Sequence, residues 1–177
     1  NFRKNALSPT TIIHEVPRQV FVFWTGDNTM SENRKKCYDS IIANIGVKVH
    51  LVTPHNLRKY IIKEHPLHEG YQYLSQVHKS DYLRTYFMHH YGGGYTDIKY
   101  TRYNWSKYFD EINSKSDIWC IGFPEGENGS SSKDINTRNR YRELIGNSSY
   151  IFRSHTKFTE EWYNTLLHKM DEKLDDL

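Results

Sequence analysis

Gln19-Val20-Phe21-Val22-Phe23-Trp24, followed at once by Thr25-Gly26-Asp27-Asn28, is the stretch from which the fold reads outward. The run is apolar on successive residues instead of alternating with polar ones. That pattern predicts a central strand with both faces covered, and the Gly and Asx residues after it predict a turn. Ser31 can cap a helix over 32–45, where Cys37, Ile41 and Ile45 share a stripe and Gly46 ends it. Val47–Val52 alternates as a second strand, and Pro54 opens a short helix with Leu57, Ile61 and Ile62 on one side. Strand, helix, strand, helix in succession favours parallel pairing and an α/β layer architecture.

Further along, a long helix is expected from Tyr73 to His90, stopped by Gly92-Gly93-Gly94, with a strand over Tyr95–Tyr100. A buried strand at 118–123, a long polar loop at 124–137, a short strand at Ser149–Arg153 and an amphipathic helix at 156–174 complete the reading. Residues 1–15 read as a lead-in arm. With no internal repeat and no linker, 1–177 is expected to be one α/β domain: a Rossmann-like, mostly parallel sheet flanked by helices. Because the first residue is Asn1, the sequence is expected to be a piece of a longer polypeptide.

Composition narrows the partners. The chain has 177 residues, 37% hydrophobic and 25% charged, a balance that excludes a disordered tail. Its apolar runs are far shorter than the ~20 residues of a membrane span, so no transmembrane segment is expected. Lys and Arg number 24 against 21 Asp and Glu, interspersed, which is no nucleic-acid footprint. Cys37 and Cys120 lie far apart in sequence and exclude a disulfide scaffold, and a reducing cytoplasm is the expected location, either free or peripheral to a membrane. Aromatic residues reach 15%, a composition that suits both a ring-rich core and flat ligands such as bases and sugars.

The chemistry concentrates in Lys79-Ser80-Asp81-Tyr82-Leu83-Arg84 and Tyr91-Gly92-Gly93-Gly94-Tyr95-Thr96-Asp97-Ile98-Lys99. Leu74, Val77, Asp81, Arg84 and Met88 are spaced to share one helix face. This puts an acid and a base inside an apolar stripe. The plain reading is an i,i+3 surface pair; the alternative is a pair whose burial demands partners, such as ligand hydroxyls. Three glycines in a row point to a stereochemical need or a flexible connector. In the strand after them Tyr95, Asp97 and Lys99 would face one way and Ile98 the other. Asp97 then lies near a strand end, where open α/β sheets bind ligands.

Together, Ser80-Asp81-x-x-Arg84 and Gly92-Gly93-Gly94-Tyr95-x-Asp97 resemble the GT-A type nucleotide-sugar glycosyltransferases with an Asp-x-Asp signature. The likeness is nearest to capsular polysaccharide synthesis proteins, with yeast initiating mannosyltransferases, α-1,4-galactosyltransferases and glucosylating toxins more distant. Val16–Gly26 resembles the family's first strand and nucleotide loop, and Tyr150–Arg153 with Thr156–Asn164 a later segment. The resemblance implies a GT-A fold. It also implies a nucleotide-sugar donor, a glycan or glycoconjugate acceptor, and retention of anomeric configuration. On it, Trp24 stacks on the donor's base beside Thr25 and Gly26. Asp81 and Arg84, with Ser80, hold sugar hydroxyls, and Arg84 also faces the diphosphate. Gly93 and Gly94 admit the donor to the backbone beside Tyr95. Asp97 matches the first carboxylate, contacting ribose or sugar and a Mn²⁺ or Mg²⁺ ion. Asn147 and His155 fall where a pocket wall is expected.

One position departs from the pattern: Lys99 replaces the second carboxylate. Two carboxylates normally hold the divalent cation that neutralises the leaving diphosphate, and a Lys places a positive charge there instead. Three outcomes stand at this point: Lys99 substitutes for the metal, Asp97 holds a largely water-bound metal, or catalysis has been lost and a nucleotide-sugar or carbohydrate-binding module remains. A single-stranded nucleic-acid binder built on aromatic platforms would need a basic stripe, which the interspersed charges do not provide.

Overall fold

A computed structural model describes residues 13–129, 133 and 135–175. Most of the expected lead-in arm, and residues 130–132 and 134 of the expected loop, lie outside the described residues. The run at 19–24 forms β1 (Gln19–Phe23), which pairs in parallel with β2 (Lys48–Val52) on one side and with β3 (Gly93–Thr96) on the other. Beyond β3 lie β5 (Ile145–Phe152), antiparallel to β3, and β4 (Cys120–Pro124), antiparallel to β5. The order is β2-β1-β3-β5-β4, so four strands share a direction and β5 alone is reversed. The strand expected at 149–153 is therefore longer, and its direction follows from pairing rather than from anything local.

Both faces of the sheet are covered, which is why β1 shows no polar alternation. Val20 and Val22 pack with Ile41 of α1 (Glu32–Asn44) and the Ile45 after it, and with Phe109 and Ile112 of α3 (Ser106–Ser114) and the Trp105 before it. Phe21 and Phe23 pack on the other side with Tyr82, Phe87 and Tyr163, from α2 (Gln76–His90) and α4 (Lys157–Asp175). Ser31 caps α1 as expected, its Oγ accepting the Arg34 N–H at 3.3 Å. Cys37 and Cys120 are free thiols. Among the described residues no helix is long and apolar enough to cross a membrane.

Two local expectations give way to tertiary packing. The helix expected from Tyr73 starts at Gln76, because the Ser75 Oγ takes the His78 N–H and residues Glu69–Tyr73 form a 3-10 turn. Its buried surface is not the stripe Leu74, Val77, Asp81, Arg84 and Met88. Leu74 precedes the helix and Val77 is exposed, whereas every residue from Tyr82 to Met88 is buried. A helix lying between a sheet and a second helix buries most of its circumference, so one-face periodicity fades.

The second correction concerns the glycines. They are not a connector before the strand: β3 begins inside them and ends at Thr96, well short of Tyr100. Gly92 and Gly93 have positive φ, +67° and +95°. A Cβ on Gly93 would sit 2.8 Å from the Gln19 carbonyl oxygen, and one on Gly94 2.8 Å from Val20 Cγ2 and 3.1 Å from the Trp105 ring. The close approach is made by the protein itself. Past Thr96 the Asp97 N–H still reaches the Ser148 carbonyl, but Lys99 N–H turns back onto the Asp97 carbonyl, each at 2.8 Å, and the chain leaves the sheet.

At the amino end of β3, His89 and His90 pack against Tyr163, His155 and His65. Both ring nitrogens of His90 are buried without a hydrogen-bond partner. Burial first, and neighbouring histidines second, lower both imidazoles from 6.5 to about 4.

Two outcomes follow for stability. Gly93→Ala forces a Cβ against backbone at a positive φ and should lower stability by about 2–4 kcal/mol in urea unfolding. Because the unfolded chain takes up protons on His89 and His90 between pH 6.5 and about 4 while the folded chain does not, stability is full above pH 6.5 and declines as pH falls toward 4. The expected fall in Tm between pH 7 and pH 5 is about 10 °C, and His90→Phe should reduce it in a calorimetric pH series.

Candidate active site

The carboxyl ends of β1 and β3 lie side by side at the point where the chain, having stepped outward from β1 to β2, crosses back to β3. That is the switch point at which open α/β sheets form a ligand crevice. Trp24 and Thr25 leave β1 there, Asp97 leaves β3 there, and the amino half of α2 runs beside both. The Thr25 hydroxyl donates to the Gln76 carbonyl at 2.7 Å, fastening the strand end to the start of α2.

Four charged side chains and one phenol form a continuous chain on this edge. Asp81 Oδ1 accepts from Arg84 Nη2 one helical turn on, and Arg84 Nη1 donates to the Asn147 carbonyl. The Arg84 guanidinium lies 4.9 Å from the centroid of the Tyr95 ring. The Tyr95 hydroxyl donates to Asp97 Oδ1 at 2.7 Å, with Ser80 Oγ 3.5 Å from the same hydroxyl. Asp97 Oδ2 pairs with Lys99 Nζ at 3.0 Å. The helix pair and the strand-end carboxylate, separate in sequence, are thus joined through one buried tyrosine.

Exposure divides their labour. Arg84 is buried, whereas the side chains of Asp81, Asp97 and Lys99 are 43%, 31% and 65% exposed. Burial works against the Arg84 charge, but Tyr95, Tyr150, Asp81 and Asp97 around it outweigh that effect and its pKa rises. Tyr95 and Tyr150 are held above the usual phenol range, chiefly by burial. Tyr95 therefore stays protonated and remains a donor to Asp97. Arg84 Nε and the Tyr150 hydroxyl are buried close together without a well-aligned hydrogen bond. The guanidinium is spent on protein groups, and Asp81, Asp97 and Lys99 are what the crevice presents.

Beside this chain lies a cavity of about 150 Å³ lined by Trp24, Thr25, Thr53, Tyr71, Lys79 and Leu83, among others. Trp24 is held there by its indole N–H, which donates to the Asn28 carbonyl at 2.7 Å. Lys79 Nζ lies 5.7 Å from the Tyr71 ring centroid, and burial raises the Tyr71 hydroxyl to about 12. Lys79 and Leu83 face the cavity, and Ser80 and Arg84, each one position on, face Tyr95. A second cavity of about 150 Å³, between α3 and β4–β5, is lined by Trp105, Tyr108, Ile121, Phe123 and Ser149 and has no charged group in its lining. Of the two, the first alone has a cationic side chain, Lys79, in its lining.

Of the residues expected to bind a ligand, Trp24, Thr25, Ser80, Asp81, Arg84, Tyr95, Asp97 and Lys99 gather at this edge. Gly26 follows Thr25, and a Cβ there would meet only the Asn28 side chain and amide. Gly93 and Gly94 lie deeper in the sheet, their open sides filled by β1 and Trp105. Asn147 reaches the site through its carbonyl, while His155, after Phe152 pairs with Gly93, stands at the opposite end of the sheet. Tyr71, Thr53 and Lys79 were assigned no role from the sequence. Lys79 adjoins the Ser-Asp-x-x-Arg motif and was within reach of that reading, but Tyr71 sits in a 3-10 turn with no periodic signal.

The open, mostly parallel α/β sheet is compatible with a Rossmann-like fold, and its aromatic cavity and charged edge lie at the switch point where such sheets form ligand crevices. The chain belongs to the family of capsular polysaccharide synthesis proteins, whose family model matches residues 3–172. Searches of the curated proteins and of the solved structures returned no match.

The burial pattern separates two variants that the sequence treats alike. Arg84→Ala strands the Asn147 carbonyl and leaves Asp81 without its partner, and should lower stability by about 2–3 kcal/mol. Asp97→Asn keeps an acceptor for Tyr95 and breaks only an exposed pair, so its unfolding free energy should change by less than about 1 kcal/mol. Urea unfolding of the two variants side by side checks this.

Proposed function

We propose that the chain is a GT-A type glycosyltransferase domain that transfers a sugar from a nucleotide-sugar donor to a glycan or glycoconjugate acceptor in capsular polysaccharide synthesis. The observation that carries the reading is the juxtaposition, at one switch point, of the Trp24–Tyr71 cavity with the Asp81–Arg84–Tyr95–Asp97–Lys99 chain. Membership in the capsular polysaccharide synthesis family supports it.

The base lies in the cavity against Trp24, with Lys79 at its edge. The diphosphate crosses from there toward Lys99, and the donor sugar's hydroxyls meet the free oxygens of Asp81 and Asp97. Arg84 acts through Asp81 and Tyr95 as a positioning residue. In the transfer the bond from the anomeric carbon to the diphosphate oxygen breaks and its electron pair leaves on that oxygen. The acceptor oxygen forms the new bond on the same face of the sugar, and its proton passes to the departing diphosphate. Catalysis of this kind is positioning plus charge stabilisation. The resemblance supplies the retention of configuration.

A second reading has an observation of its own. The Lys99–Asp97 pair replaces the usual two carboxylates, which fits a catalytically silent module binding nucleotide-sugars. A panel of UDP-, GDP- and dTDP-sugars, followed for slow hydrolysis of the donor, separates the two. The enzyme reading predicts turnover of at least one donor class and a loss of roughly a hundredfold in Asp97→Asn. Donor binding without turnover favours the module. Turnover unchanged in Asp97→Asn contradicts the site assignment.

A further inference from the structure

The resemblance implies a divalent cation held by two carboxylates, and the residues present do not fit one. Asp97 is the first carboxylate of the signature, and both its oxygens are engaged: Oδ1 by the Tyr95 hydroxyl at 2.7 Å and Oδ2 by Lys99 Nζ at 3.0 Å. Asp81, the other carboxylate on this edge, gives Oδ1 to Arg84. Among the described residues no three His, Cys, Asp or Glu side chains are placed to hold a metal ion. Hard divalent cations take about six oxygen ligands and rely on carboxylates to supply charge. Here the second carboxylate's position carries a positive charge that would repel them.

The same geometry makes Lys99 a good anion ligand. The turn that brings Lys99 N–H to the Asp97 carbonyl at 2.8 Å folds its side chain back over the Asp97 carboxylate. The ammonium is held by one contact while the side chain stays 65% exposed. An ammonium has three N–H donors, so two remain for phosphate oxygens. The charges of Asp81, Arg84, Asp97 and Lys99 cancel, so the edge carries no excess negative charge for a metal to offset before a diphosphate can enter.

We infer that Lys99 is the cation that holds the donor's diphosphate and takes up its charge on departure, and that this site binds its donor without a divalent metal. The inference rests on the glycosyltransferase reading and deepens it: the ligand class is a nucleoside diphosphate recognised by an ammonium where related sites use a metal ion.

Calorimetric titration of UDP, GDP and dTDP into the full chain, in EDTA and again in Mn²⁺, tests the inference. The unaltered chain is expected to bind one of them with affinities within about twofold of each other in the two buffers. Lys99→Ala should weaken that binding about tenfold in both buffers. Lys99→Asp, which restores the second carboxylate, should bind weakly in EDTA and recover about tenfold in Mn²⁺. Lys99 is exposed, so both variants are expected to melt with the unaltered chain. A tenfold or greater tightening of the unaltered chain by Mn²⁺, or an unchanged affinity in Lys99→Ala, overturns the metal-free site while leaving the donor reading intact. No binding of any of the three diphosphates in either buffer overturns both.

Discussion

A guanidinium taken out of water needs partners, and the two Nη groups and the face of Arg84 find them on three different elements while Nε stays buried without a hydrogen bond. Asp81 lies on its own helix, the Asn147 carbonyl belongs to β5, and the Tyr95 ring stands on β3. One buried cation therefore locks α2, β3 and β5 into a single relative placement. Buried ion pairs of this kind add little net stability, because desolvation offsets most of the attraction, yet removing one partner is expensive. What Arg84 supplies is geometry. With its ring against the guanidinium, Tyr95 has its hydroxyl aimed at Asp97, and Asp97 in turn fixes Lys99. The polar groups that reach solvent are exposed ends of a chain whose middle is buried.

The glycines serve the same arrangement from the other side. Because Gly93 and Gly94 carry no Cβ, β3 can lie against β1 and Trp105 at distances no other residue allows. That contact brings the ends of β1 and β3 level, with Phe21 opposite Tyr95. Trp24 and Asp97 then emerge next to each other. The glycines contribute to the site by setting the register of the strands that carry it, some way from the crevice itself.

How much of this was legible beforehand follows from which forces are local. The apolar run at 19–24, the Ser31 cap and the final amphipathic helix are written in short-range pattern, and the structure follows them closely. The charged residues of the site were legible as well, because Asp81, Arg84, Asp97 and Lys99 sit in two short motifs. What was hidden depends on partners distant in sequence. Nothing near Gly93 announces the Gln19 carbonyl, nothing near Tyr150 announces that its strand runs backward, and Val77 reads as a core residue until α4 takes the other side of the helix. The aromatic cavity is assembled from the end of β1, the end of β2, a 3-10 turn and α2, so only its Trp24 and Thr25 wall was named in advance. Lys99 read as a departure from the motif with three outcomes open, a substitute for the metal among them, and what stayed hidden is its pairing with Asp97 at 3.0 Å.

The central claim is that a nucleoside diphosphate enters at the β1–β3 switch point and not at the equally large apolar cavity beside α3. Indole N–H resonances decide this directly, since the four tryptophans are Trp24, Trp105, Trp119 and Trp162 and each cavity has one of them in its wall. On titration with UDP, GDP or dTDP, the account predicts that the Trp24 resonance moves while Trp105 stays in place. Movement of Trp105 with Trp24 unchanged would contradict it.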